Sequence, residues 1–297
     1  MGWAARTWLA MTPEASYGVY DPDATPLWIR LHESNACTLR PRPLAGTIRS
    51  ADGGNRRRQR IATRQAVTGR LRTLFYPSQA AALLGWAAGL ADANLPSYTI
   101  DHWDSVRARR YLGCMVKGLT IRCAAGRDDG VASLEFDVVG QQPAPVDPTL
   151  PEPAPAALPA ESPYTHQQTA GLLTLGGARS RYKSLQVAIR NYLIPTWDES
   201  PWITALYWGG RDVDLTVALQ YLSAADRASF EAQAPLACQV AWSQAGSSPS
   251  VTLDFQGSNY LGDLVDDLPL DGAGYQTLTL QAFFDSTAAT DLTLTVA

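Results

Sequence analysis

The chain has 297 residues, 46% hydrophobic and 18% charged, with a net charge of −4. That is apolar material for two packed cores of ordinary domain size, roughly 100–150 residues each. No apolar run reaches the roughly 18–20 residues of a membrane-spanning helix, and the opening MGWAARTWLAMTPEASYG is too interrupted by charge and Pro for a signal peptide, so the sequence reads as having no membrane partner and a mature start at or near Met1.

Charge is unevenly spread. Residues 1–140 carry 18 Lys+Arg against 12 Asp+Glu, a net of +6. Residues 141–163 carry three acids and no base, and residues 164–297 carry 6 basic against 13 acidic residues, a net of −7. Only two of the 24 basic residues are Lys. Arg makes planar bidentate contacts and suits packed interfaces, although a GC-rich genome produces the same bias.

Along the chain, the first break in pattern is SADGGNRRRQR at 50–60, which has no periodicity and reads as a long exposed loop. Its arginines Arg56, Arg57, Arg58 and Arg60 can contact phosphates. Aromatic interleaving is absent, however, and the other half of the chain is acidic, so docking on a neighbouring protein's carboxylates is the preferred reading. FYPSQAAALL around Tyr76 then gives a strand end, a Ser78 N-cap and a short helix. His102, between Asp101 and Asp104, reads as part of a solvated turn before a strand over 109–115. The phrase YLGCMVKGLTI at 111–121 follows, and VASLEFDVV near 135 alternates apolar and polar residues. GRDDG at 126–130 reads as a turn.

Residues 141–163 (beginning at QQPAPVDPTLPEP) are rich in alternating prolines, which favour extended polyproline II and make a semi-rigid spacer. Beyond it period two resumes in LQVAI (185–189), DVDLTVALQYL (212–222), VTLDF (251–255), YQTLTLQAF (275–283) and DLTLTV (291–296). LDGAG at 270–274 is another turn. QYLSAADRASF around Tyr221 repeats the strand–Ser–helix order, with Ser223 as N-cap and Asp226 completing a capping-box-like pattern. YLGDLVDDLPL at 260–270 repeats the earlier phrase. The same two features in the same order indicate a diverged tandem duplication. The expected fold is mainly β: two tandem β-sandwich or barrel-type domains, 1–140 and 164–297, each with a short flanking α-helix, joined by the Pro-rich linker 141–163.

Chemistry is sparse. There is no GxSxG, Walker loop, GxGxxG after a strand or HExxH. Cys37, Cys114, Cys123 and Cys238 form no CxxC pair, and His32, His102 and His166 are scattered. No zinc cluster is expected, and the thiols read as free in a reducing compartment, with a Cys114–Cys123 bridge only geometrically conceivable. Asp263, Asp266 and Asp267 lack the spacing of a calcium loop and read as an acidic surface. No catalytic, metal or cofactor site is expected, and no enzymatic activity. Nine Trp residues leave open a rival binding module of two tandem β-sandwiches, recognising carbohydrate or protein.

The opening LAMTPEASYGVYDPDATPLWIRL, with Glu14, Tyr17 and Gly18 ahead of Trp28, resembles the start of siphophage tail tube (major tail) proteins. VTGRLRTLFYPSQAAALLGW and RRYLGCMVKGLTIRC also resemble that family's tube domain; the likeness covers roughly 9–142, and the second half joins it by its parallel with the first. The resemblance implies a structural virion protein whose sheets join edge to edge into rings. The rings stack into a tube that conducts tape-measure protein and then DNA, without sequence specificity. Two domains per chain imply homotrimeric, pseudo-sixfold rings, unless the second half is an external decoration domain. Further implied partners are tail terminator and distal tail proteins; the implied location is the virion tail, and the host cytoplasm during assembly. In this frame Arg56, Arg57, Arg58 and Arg60 are expected at inter-subunit or inter-ring contacts, and Asp263, Asp266 and Asp267 are candidates to face the lumen.

Overall fold

The computed structural model describes residues 7–31, 36–49, 57–89, 95–104, 108–125, 130–145, 158–166, 173–179, 182–220, 225–244, 247–267, 274–283 and 290–297. In the first half these form β1 (Thr7–Pro13), β2 (Leu27–Ile29), β3 (Arg40–Arg49), β4 (Arg57–Leu74), a 3-10 turn (Pro77–Gln79), α1 (Ala80–Ala88), β5 (Tyr98–Asp104), β6 (Ala108–Ala124), β7 (Ser133–Gly140) and β8 (Gln142–Ala144). The second half gives β9 (Leu173–Leu175), β10 (Ala178–Arg179), β11 (Tyr182–Thr196), β12 (Ala205–Gln220), α2 (Ala225–Glu231), β13 (Leu236–Gln244), β14 (Ser247–Asp267), β15 (Tyr275–Gln281) and β16 (Leu292–Val296). The strands expected from period two are all present.

The wiring is duplicated. In the first half β1 pairs with β2 and β5, β4 with β3 and β7, and β6 with β5, β7 and β8, all antiparallel. In the second, β9 pairs with β10 and β13, β12 with β11 and β15, and β14 with β13, β15 and β16. Among the described residues, every pairing between these strands of one half has its counterpart in the other. The long strands β6 and β14 each run through two sheets, so each half is a sandwich closed by one bent strand.

The YLG phrases lie on these equivalent strands but out of register. β6 bulges against β5 between Tyr111 and Cys114, and β14 against β13 between Phe255 and Asn259. β8 meets Tyr111 with Pro143, and β16 meets Phe255 with Leu292. The counterpart of Tyr111-Leu112-Gly113 is therefore Phe255-Gln256-Gly257, and the second YLG lies further along the strand. Bulges insert unpaired residues, so a sequence match counts positions that the ladder does not.

The Glu14–Tyr17–Gly18 phrase has a local physical cause. The Glu14 carboxylate accepts from Gly18 N at 2.8 Å, from Gly113 N at 2.9 Å and from Thr99 Oγ1 at 2.7 Å. It thereby ties the turn after β1 to β5 and to the bend of β6. Gly113 has φ +61°, and a Cβ there would lie 2.9 Å from Tyr17 Cζ. Tyr17 therefore packs where only Gly fits. Burial first, then Cys114 and Glu14, pushes the Tyr17 phenol well up. Glu14→Ala leaves two backbone amides without their carboxylate and should cost about 2–4 kcal/mol, read as a lowered urea midpoint at unchanged slope.

One contiguous core runs through both halves. Phe75 meets Tyr164 at 4.9 Å and Trp242 at 5.4 Å, each edge to face. α1 is apolar all round and sits inside, with Trp86 Nε1 donating to Cys114 O at 3.2 Å. Several expectations are corrected here. Ser78 does not cap the helix with its side chain; its backbone N donates to Glu161 Oε1 at 3.0 Å. Ser223 lies outside the described residues. The capping pattern expected of Asp226 with it therefore lies outside them too; the Asp226 carboxylate receives Arg179 at 2.6 Å and Gln276 Nε2 at 2.6 Å. The spacer does not begin at 141, because 142–144 is β8 on the edge of β6. Its far end is also anchored, Tyr164 N donating to Phe75 O at 2.8 Å.

The four cysteines are free; Cys114, Cys123 and Cys238 are buried and Cys37 half-buried, and no Cys114–Cys123 bridge forms. Burial pushes the Cys37 thiol up to about 11. Since the thiolate is the nucleophile, folded protein at pH 8 should react with a thiol reagent at all four sites only slowly, and at full stoichiometry once unfolded.

Candidate assembly surfaces

The two halves meet along one ladder. β11 pairs antiparallel with β6 from Ser184↔Ala124 to Arg190↔Gly118. Eight strands thus make one continuous sheet in the order β3-β4-β7-β6-β11-β12-β15-β14. Side chains lock the joint. Buried Asn191 donates from Nδ2 to Ala87 O at 2.8 Å and Val116 O at 3.0 Å. Arg211 donates to Ala88 O, and its Nε to Asp291 Oδ1 at 2.7 Å. Beyond the ladder, the β11–β12 hairpin leans over the first half. Leu193, Trp197, Ile203, Leu206 and Trp208 pack with Ala66, Met115 and Val139. Gln65 N donates to Pro201 O at 2.6 Å, and Arg64 stacks 4.7 Å from the Trp197 ring centroid.

The ends of this sheet are two edges. Among the described residues β3 pairs only with β4, and the 260–267 stretch of β14 only with β15. By the duplicated wiring β3 is the counterpart of β11 and β14 of β6, so the two ends are the partners that join at the centre of the chain. Edges left open are templates for pairing. Pro41 and Pro43 on β3 remove two donors, as prolines on edge strands do. On β14, Leu264 N donates to the carboxylate of Asp263, the exposed residue at the bulge, at 2.9 Å.

Of the residues singled out from sequence, the aspartates lie on the β14 edge and three of the arginines on β4, the partner of β3. Arg57, Arg58 and Arg60 are not in a loop; their backbones lie in β4, where Arg57 faces Arg49 and Arg60 faces Thr47. A hairpin extends the ladder into the basic run because strand pairing, not periodicity, satisfies its backbone. Their side chains lie outside the described residues, as do all of Arg56 and His32. Asp263 is exposed at a β14 bulge; Asp266 and Asp267 are on the same strand opposite Gln276 and Tyr275, their side chains outside the described residues. His102 is buried on β5 between β1 and β6, not in a solvated turn. His166 contacts the Tyr182 carbonyl through Nε2 at 3.0 Å. Sequence reasoning missed the edges themselves, for which the prolines of β3 were the available signal.

The sheet face turned from the core carries paired charges. Arg70 Nε donates to Asp137 at 3.1 Å, Arg72 Nε to Glu135 at 2.9 Å, and Arg190 lies 3.5 Å from Asp214. Burial raises the Asp214 carboxyl, with Arg190 lowering it and Asp212 raising it. No group of His, Cys, Asp and Glu among the described residues is placed to hold a metal ion, and none of their helices is long and apolar enough to cross a membrane.

The family model described as phage tail tube protein matches residues 4–293. The chain belongs to that family. Tail tube proteins are structural components that self-assemble into the virion tail, and this chain is one of them. A solved chain from the virion of a native gene transfer agent particle is similar at 12% identity and TM-score 0.31, covering 42% of this chain and 95% of that one. No curated protein matches.

Proposed function

We propose that three chains join head to tail into a ring, and that stacked rings form a conduit for tape-measure protein and then DNA. The observation that carries this reading is the pair of sheet ends. β14 of one chain meets β3 of the next by the geometry that joins β6 to β11 within a chain. Such a head-to-tail interface is heterologous and closes only by rotation into a ring. Three sheets of eight strands give a barrel of about 24, wider than the 16–18-stranded barrels that already leave an aqueous channel.

The helices support the same arrangement. Seven of the nine residues of α1 are buried, partly under the second half, whereas Asp226 alone is buried among the seven of α2. α2 occupies the equivalent place at the outer end, where the next chain would cover it. A decoration domain would need neither the shared sheet nor a second matching edge.

With the sandwich layers and helices on one face, that face lies outside and the other lines the bore. Its cross-strand ion pairs make the wall close to neutral rather than strongly acidic. A duplex carrying about one charge per 1.7 Å of axis then meets few unpaired cations to hold it. Asp263 would stand at the inter-chain seam of this wall. Tail terminator and distal tail proteins would meet the two ends of the tube.

Opposite charge favours pairing first half with second and disfavours like with like. Reversing Arg56, Arg57, Arg58 and Arg60 to Glu should therefore reduce the pelletable polymer, more so in low salt where screening is weaker. Polymerisation unchanged at every salt concentration would remove that role.

A further inference from the structure

The sheet registers make the two halves comparable residue by residue, and one contact in the first half has no counterpart among the described residues of the chain. Val116↔Val138 precedes the β6 bulge, as Leu261↔Leu280 precedes the β14 bulge. Val139 therefore corresponds to Gln281. Since Val139 faces Thr68 and Gln281 faces Asp214, Ala66 corresponds to Asp212. Ala66 and Val139 lie under the β11–β12 hairpin. Asp212 and Gln281 instead line a cleft of about 520 Å³, together with Gly210, Asp214 and Thr290.

We infer that this cleft receives the β3–β4 hairpin of the next copy of the chain, a docking that rests on the ring proposed above. The hairpin is the counterpart of β11–β12, the element that fills the equivalent place in the first half. Its described strands carry Arg40, Arg42, Arg49, Arg57, Arg58 and Arg60 and no acid before Arg64. The cleft presents exposed Asp212, which accepts from the Tyr192 hydroxyl, and Asp214, whose Arg190 partner is itself largely in solvent; Arg211 in its wall is held by Asp291. The first half uses apolar packing at this place, because Trp197, Leu206 and Trp208 come from its own chain. The second uses charge, which opposes docking of the chain's own acidic half. The basic run thus contacts a neighbour within the ring rather than the next ring.

A double variant tests this with the full chain. Ala62→Cys stands where Trp208 stands in the other hairpin, and Gln281→Cys lies in the cleft. Oxidation of assembled Ala62→Cys/Gln281→Cys should give covalent dimers and trimers on a non-reducing denaturing gel, with monomer only from each single variant. Intact rings that stay monomeric on the gel would overturn the docking while leaving the ring reading in place. Wild-type protein that forms no rings would overturn both. Should the double variant not assemble, Asp212→Arg gives an independent answer. It should slow assembly about tenfold or more by setting like charge against the hairpin, and Arg60→Glu in the same chain should restore it. Assembly of Asp212→Arg at the wild-type rate, or failure of Arg60→Glu to restore it, would count against the docking.

Discussion

Leu264→Pro should give a folded protein that does not polymerise. The Leu264 amide donates to the carboxylate of its neighbour Asp263 at the β14 bulge. Proline there removes a donor held by a local side chain, while its ring blocks close approach of another strand. In the ring, this amide would face β3 of the next chain, as Leu119 faces Ile189 inside the chain. Because one blocked seam prevents closure, the expected effect is loss of tubes rather than a graded weakening. Circular dichroism and urea unfolding close to wild type, with sedimentation only as monomer, would meet the expectation. Normal tubes from this variant would show that the 260–267 edge of β14 is not a seam.

The second large effect is expected from Asp226→Ala. Asp226 is 4% exposed, at the start of α2. Its carboxylate receives Arg179 from β10 and Gln276 from β15. Removing it strands a largely buried guanidinium and amide, so the loss should approach the 3–5 kcal/mol typical of a broken buried pair. Arg179 alone reaches back to Leu175 O at 2.9 Å, which retains one partner and places the cost near the lower figure. Asp226→Asn keeps a hydrogen-bond acceptor for Gln276 and should lose less. Urea unfolding of the two variants checks both the size and the order. Equal stability of Asp226→Ala and wild type would mean that the β9–β10 hairpin is held by other contacts.

Much of the fold was legible because its sheets are half-solvated. Thr216, Ala218 and Gln220 alternate with buried Leu215, Val217 and Leu219, so β12 declares its period directly. Both helices announced themselves as short small-residue runs after a strand. What failed was non-local. Ser78 looked like a cap until Glu161, 83 residues away, took its amide. His102 sits in a polar run, Asp-His-Trp-Asp, yet is buried because β1 and β6 flank it. The basic run has no periodicity, and only its pairing with β3 makes part of it a strand. Of the candidate assembly surfaces, sequence shows the opposite charge of the two halves but not the free strand edges. An edge is defined by a partner strand that is absent, and no local pattern records it. The duplication was legible in outline, but its register was hidden by bulges in β6 and β14.

Three copies of the chain are expected to close a ring through β14 and β3. Cryo-electron microscopy of assembled tubes tests this by counting chains per ring and tracing the seam. Three chains, each contributing eight strands to one inner barrel, with β14 of one chain hydrogen-bonded to β3 of the next, is the predicted result. Six chains per ring, with residues 164–297 projecting outside a barrel built from first halves alone, would contradict it.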